Sequence, residues 1–270
     1  MESSKVKNII LTILVVTNIL LLGLMLFQRV ESRHYRQQAL QDAVDLLAQQ
    51  GISAQAEAMP DKDFPVPQVL ETDAQRELES FSGILGSDTT FTQRGLVSLY
   101  SGSLGTAEVW ENGSFTVQLT PGAYPLVGRA VEEHALSVLD QMGFSGQITD
   151  VTSSSLTAVE LLGNVPIFSC AVTLSYEGDE LRSISGTHLT GTPSADSQAG
   201  EALSTATLLV RFRSGVMDSG DTCTAILSAA QGYVLSADAA QRLRRIPVLR
   251  LETDTNLYLL NALTGEWSRM

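Results

Sequence analysis

The chain has 270 residues, with 17 Lys and Arg against 30 Asp and Glu, a formal net charge of −13 and 44% hydrophobic residues. Only three lysines occur, Lys5, Lys7 and Lys62, and Lys and Arg form no extended cluster with interleaved aromatics, which disfavours nucleic-acid binding. The hydrophobic content, regularly punctuated by Gly and Pro, excludes a disordered tail and indicates a folded body.

The first element is an uncharged run over residues 9–27, opening at Ile9 and closing at Phe27, with Lys5 and Lys7 before it and Arg29 after it. As a helix rising about 1.5 Å per residue it would measure roughly 28 Å, close to the hydrocarbon thickness of a bilayer. The run ends Met25-Leu26-Phe27-Gln28-Arg29 with no A-x-A pattern, so it reads as an uncleaved signal anchor in the lipid bilayer. Local charge does not orient it: Lys5 and Lys7 stand on one side, Arg29, Arg33 and Arg36 on the other. Residues 28–270 carry 15 Lys and Arg against 29 Asp and Glu, an acidic body that an anionic inner leaflet repels. The expectation is a cell-membrane protein with a cytoplasmic tail over 1–8 and an extracytoplasmic body. Asn18, at the centre of the run, places an amide where an unpartnered polar group is costly. Two readings stand: a contact with another transmembrane helix along Asn18, Leu22 and Met25, or a single tolerated amide.

Beyond the run, residues 28–50 read as a helix with Val30, Leu40, Val44 and Leu47 on one apolar stripe and Gly51 as its C-cap, within a stalk over 28–56. Such a helix either pairs with another or docks on its own domain. Pro60, Pro65 and Pro67 make 57–68 a linker or an extended edge. Residues 71–85 return to helical spacing in Leu78, Phe81 and Leu85, ending at Gly86. Residues 91–119 alternate, through Val97, Leu99, Ala107, Val109, Phe115, Val117 and Leu119, and Asn112-Gly113 predicts a hairpin. A further helix is predicted over 126–142, closed by Gly143. Strands follow over 148–162 and 167–189, turned at Glu177-Gly178-Asp179. The last third repeats this order, with a helix over 195–217, broken at Gly215 and Gly220, then strands over 223–236 and 248–263. Val165-Pro166-Ile167-Phe168 matches Ile246-Pro247-Val248-Leu249, and residues 181–191 match 257–265 with a two-residue difference in length, read either as a duplicated unit or as a chance similarity between two hairpins. The predicted class is α+β: an N-terminal membrane helix and stalk, then two helix-plus-antiparallel-sheet units over 69–192 and 193–270.

Signatures of chemistry are sparse. Neither G-x-S-x-G nor a P-loop string occurs in the sequence. His34, His134 and His188 are far apart, and Glu132-Glu133-His134 lacks the second His at helical spacing that a zinc site requires, so neither metal nor cofactor is expected. His134 reads as a residue on a polar helix face, and Glu177, Asp179 and Glu180 as turn carboxylates. Cys170 and Cys223 lie in apolar, strand-like stretches, either as two buried thiols or, outside the cytoplasm, as a disulfide. Catalysis is not expected.

Certain segments carry a family likeness: Lys5-Val6-Lys7-Asn8 leading into the apolar run with Asn18, LLAQQGI over 46–52 before a Pro-containing linker, FSGILG over 81–86, Ile246-Pro247-Val248, and NALTGEW over 261–267. With them the chain resembles the YycH/YycI family of regulators of Gram-positive two-component systems, the YycI branch in particular, over most of its length. It departs from the pattern in Leu249, where an aromatic is expected, and in its few lysines. The resemblance implies a single-pass, non-catalytic protein with PepSY-like extracytoplasmic units. It also implies association with a YycH-like membrane protein and a WalK/YycG-type sensor histidine kinase, whose output it modulates in cell-wall homeostasis. The other function class is an extracytoplasmic PepSY-like binding or inhibitor module acting on a protease or a cell-wall component.

Overall fold

The computed structural model describes residues 14, 15, 17, 18, 20–22, 34–196, 198–237 and 242–270. Residues 14, 15, 17, 18 and 20–22 are helical and exposed; the remainder of 9–27 lies outside the described residues. Among the described residues, no helix is long and apolar enough to cross a membrane.

A helix, α1, runs through 34–48. Of its predicted stripe, Leu40 and Val44 are almost fully covered and Leu47 is completely so, while Val30 lies outside the described residues. The C-terminus is a Schellman motif, which satisfies two carbonyls that have no partner within the helix. The Gly51 N–H donates to the Ala48 carbonyl at 2.9 Å and the Ile52 N–H to the Leu47 carbonyl at 3.1 Å. Gly51 takes the left-handed φ of 82° that this geometry asks for, and buried Ile52 returns the chain toward Leu47.

From Gln68 onward the order of elements is regular. β1 (Gln68–Thr72) precedes α2 (Ala74–Leu85), which is followed by β2 (Thr90–Arg94), β3 (Val97–Gly102), β4 (Gly105–Trp110) and β5 (Ser114–Leu119). Next come α3 (Val131–Gln141) and β6 (Gly146–Val151), β7 (Ser155–Leu162), β8 (Val165–Glu177) and β9 (Glu180–Thr187). After β10 (Gly191–Ala195) stand α4 (Thr205–Ser219) and β11 (Ile226–Ala237), β12 (Leu243–Thr253), β13 (Leu257–Asn261) and β14 (Trp267–Arg269). The class is α+β, dominated by one large sheet. A helix followed by four strands, each paired with the next, occurs three times in succession. The span 69–192, predicted as one such unit, contains two of these passes.

The strand path is β10-β1-β12-β11-β8-β9-β5-β4-β3-β2, with β7 and β6 branching from β8 and β13 and β14 from β12. Branching is possible because β8 is long. Its far half pairs with β9 from Val172 to Glu177, while Ile167 near its start pairs in parallel with Tyr233 of β11. β7 runs along the opposite edge of β8.

The helices α2, α3 and α4 start later than the sequence pattern places them. α2 starts only at Ala74 because β1 occupies 68–72; Asp73 caps it, its carboxylate accepting from the N–H groups of Gln75 and Arg76 at 3.1 and 3.2 Å. α3 starts at Val131, not at 126, because Val127 and Gly128 both take positive φ, 47° and 75°, and turn the chain first. Residues 195, 196 and 198–204 are not helical; the helix begins after Ser204, whose hydroxyl accepts from the Thr207 N–H at 3.3 Å. α4 then continues through Gly215, where a break was predicted, and ends at Gly220 in the left-handed region.

The chain forms two compact units that interleave in sequence. One comprises Met1–Lys62, Ser204–Ala229 and Glu252–Asn256, the other Asp63–Leu203, Ala230–Leu251 and Leu257–Met270. The sequence pattern placed a boundary between 192 and 193, but both sides fall in the second unit. β10 pairs with β1 across the full register from Gln68↔Ala195 to Thr72↔Gly191, and β1 pairs with β12, so these separated stretches share one ladder. The second unit's main core lies between α2, α3 and the strands, with Phe81, Ile84, Leu85, Tyr100, Phe115 and Leu139 among its buried residues. Phe81 stacks on Tyr100 at a centroid distance of 5.1 Å and meets Phe115 edge-on at 5.6 Å.

Candidate functional site

Two strands of the second unit each carry a charged residue on an inward row. Along β7, Leu156, Ala158 and Glu160 alternate toward the interior, so Glu160 occupies an apolar position. On β12 the buried row reads Arg245, Pro247, Leu249, Leu251 and Thr253. At Glu160 the register with β8 shifts: Val159 faces Ala171 and Glu160 faces Ile167, leaving Phe168, Ser169 and Cys170 as extra residues on β8.

His188 follows the end of β9, its N–H donating to the Gly113 carbonyl at 2.9 Å. Its side chain is 6% exposed and that of Glu160 10%, and His188 Nδ1 lies 3.2 Å from Glu160 Oε2. Phe144 packs edge-on against the imidazole at 5.4 Å. Cys170, in the β8 bulge, is buried; burial first, and then the Glu160 charge and hydrogen bond, push its thiol far above its ordinary value, so it stays neutral and packs as an apolar residue.

Glu160 and His188 line a cleft of about 540 Å³. Arg76, Glu79 and Ser80 of α2 and residues 140–143 at the end of α3 form one wall, Glu160 and Leu162 another, and residues 188–191, Pro193 and Arg245 the rest. Its α2–α3 wall is pinned by the Ser80 hydroxyl, which donates to the Met142 carbonyl at 2.5 Å. Arg245 is 5% exposed, and its one side-chain hydrogen bond among the described residues runs from Nη1 to Gln68 Oε1 at 3.2 Å. Two buried polar atoms of the cleft, Arg245 Nε and Thr190 Oγ1, have no hydrogen-bond partner. As donors without an acceptor, they can take part in recognising one. A smaller cleft of about 390 Å³ lies at the β4–β5 turn, lined by Leu96, Trp110, Glu111, Asn112 and Ser114.

The residues singled out from the sequence lie elsewhere. Asn18 and Leu22 are on exposed helical turns, and Met25 is outside the described residues. Cys170 and Cys223 are free, buried thiols, one in each unit. His134, predicted on a polar face, is buried at 5% exposure: α3 turns it inward between Tyr124 and Tyr176, with Nδ1 3.1 Å from the Tyr176 hydroxyl. Glu177 and Glu180 remain turn carboxylates, paired with Arg182 at 3.3 and 3.2 Å. The cleft itself was missed, although a charge inside an alternating apolar row was visible at both Glu160 and Arg245. Among the described residues, no group of His, Cys, Asp and Glu is arranged to hold a metal ion.

No protein-family model matches the chain, and no curated protein does. Among solved structures, an uncharacterized protein from Eubacterium rectale ATCC 33656 aligns over 77% of this chain and 86% of its own, with a TM-score of 0.46 and 10% identity. The Bacillus megaterium YpeB C-terminal domain aligns over 75% and 99% respectively, with a TM-score of 0.35 and 12% identity. Both likenesses are too loose to carry fold or function.

Proposed function

We propose that this chain is a membrane-anchored, non-catalytic regulator of a two-component sensor histidine kinase, as its resemblance to the YycH/YycI family implies. Residues 9–27 serve as its single span, 1–8 as a cytoplasmic tail and the folded body as an extracytoplasmic domain. In this reading the helix-plus-meander passes are PepSY-like, and the partners are the kinase and a YycH-like membrane protein. The supporting observation is the burial of α1. This helix, described from 34 onward, has Leu40, Val44 and Leu47 covered in the folded state. A helix fixed in this way transmits displacement, where a loose tether would absorb it. For such coupling to act, the protein must bind one kinase conformation better than the other, since equal affinity shifts nothing.

The cleft favours a second reading, an extracytoplasmic binding or inhibitor module acting on a protease or cell-wall component. Inserting two glycines after Arg33 separates the two. Kinase autophosphorylation is measured in membranes containing both proteins, and co-purification reports binding. The regulator reading expects the effect on output to disappear while the body still folds and still binds. Unchanged kinase output would sink it; a body that binds a wall component or protease equally well with and without the insertion would support the module.

A further inference from the structure

We propose that the 540 Å³ cleft binds a small zwitterionic carboxylate, a free amino acid or a dipeptide, whose carboxylate is held by Arg245 and Thr190. The site stands independently of the membrane anchor and the kinase.

A buried guanidinium ordinarily has a carboxylate beside it, because desolvating an unpaired charge is costly. Arg245 has none within 4 Å among the described residues, and only Gln68, a neutral acceptor, is bonded to it. Buried polar atoms are almost always satisfied, yet the Arg245 Nε and the Thr190 hydroxyl both lack partners and both belong to residues lining one cleft. Two coincident exceptions describe donors set for an acceptor that the chain does not supply. Guanidinium geometry matches a carboxylate in a forked, two-bond contact.

The remaining charges narrow the ligand. Glu79, exposed in the middle of α2, Asp140 near the end of α3 and Glu160 of β7 line the same cleft, as does Arg76, whose charge is already paired with Asp73 at 3.3 Å. A phosphate, with its larger negative charge, would meet these carboxylates unfavourably. A zwitterion places its carboxylate on the buried arginine and its ammonium toward the acidic rim.

The test is calorimetric titration of the full chain in detergent micelles with alanine, alanyl-alanine, acetate and inorganic phosphate. Saturable binding of alanine or alanyl-alanine, tighter than acetate and phosphate, is expected, and the tighter of the first two identifies the amino acid or the dipeptide as ligand. Thr190→Val removes the orphaned hydroxyl at nearly constant shape; it should weaken binding about tenfold, one hydrogen bond's worth, without lowering the unfolding midpoint. Arg245→Lys should abolish measurable binding, and if that variant fails to fold, Thr190→Val decides. The absence of saturable binding by alanine and alanyl-alanine, phosphate as the tightest probe, or unchanged affinity in Thr190→Val would each overturn the proposal.

Discussion

His134 shows how one buried ring ties stability to pH. Its imidazole sits among Tyr124, Tyr176 and α3, and burial first, then the Arg129 charge, lower its pKa from the ordinary 6.5. The facing Tyr176 hydroxyl is pushed up to about 12 by burial and then by the Glu132 charge, so it stays neutral throughout the range that matters. With the folded pKa below the unfolded one, the neutral ring's contribution is complete above 6.5. It is lost as the pH falls from there through the folded pKa, because only the unfolded chain takes up the proton. Urea midpoints measured at about pH 7 and about pH 5.5 should therefore fall further in the wild type than in His134→Gln. Equal falls in the two proteins would show that this ring does not carry the dependence. The comparison between variants is essential, since carboxylates titrate on the acid side as well.

At the scale of elements, α2 and α3 are held close by a glycine and a serine. A Cβ built on Gly83 would come within 2.1 Å of the Gln141 carbonyl oxygen, and the same turn carries the Ser80–Met142 hydrogen bond. Helix propensity alone predicts that Gly83→Ala stabilises the protein by about 1 kcal/mol. The backbone contact reverses the sign, because relieving it must push the helices apart; the variant should unfold in urea with a loss of roughly 1–3 kcal/mol. A higher midpoint would mean the helices separate at no cost. The same stretch explains what the sequence could and could not tell. In FSGILG, Phe81, Ile84 and Leu85 fill the core, Gly83 admits the neighbouring helix and Gly86 ends the helix, all local requirements that leave a trace in residue type. The Asn112-Gly113 turn and the helix end at Gly143 were legible for the same reason. The cleft was not, because it joins residues that only long-range pairing brings together: Gln68 and Arg245, 177 positions apart, meet through the β1–β12 ladder. Period-2 alternation marks which strand positions face inward and is silent on which strands lie side by side.

At the scale of the whole molecule, the discontinuity of the first unit sets a limit on how the chain can be cut. Met1–Lys62 supplies buried Leu40, Ala43, Val44, Leu47, Ile52 and Met59. It also supplies the Ser53 carbonyl that accepts from the Ile226 N–H at 2.9 Å, the Ser53 N–H that donates to Thr224 at 2.8 Å, and the Pro60 carbonyl that accepts from the Thr205 hydroxyl at 2.9 Å. Each fully buried Leu or Val contributes about 1.5–3 kcal/mol, so removing this stretch takes away more than α4 can replace from its own sequence. The second unit keeps its own core between α2, α3 and the sheet. A chain starting at Asp63 should therefore show fast amide exchange across α4 and the start of β11, while amides of β5, β8 and β9 stay as protected as in the full chain. Slow exchange in α4 of the shortened chain would mean that the first unit does not depend on α1. The route proposed here from the apolar run into the folded body would then lose its physical basis, because a helix that the body can discard has no grip on it.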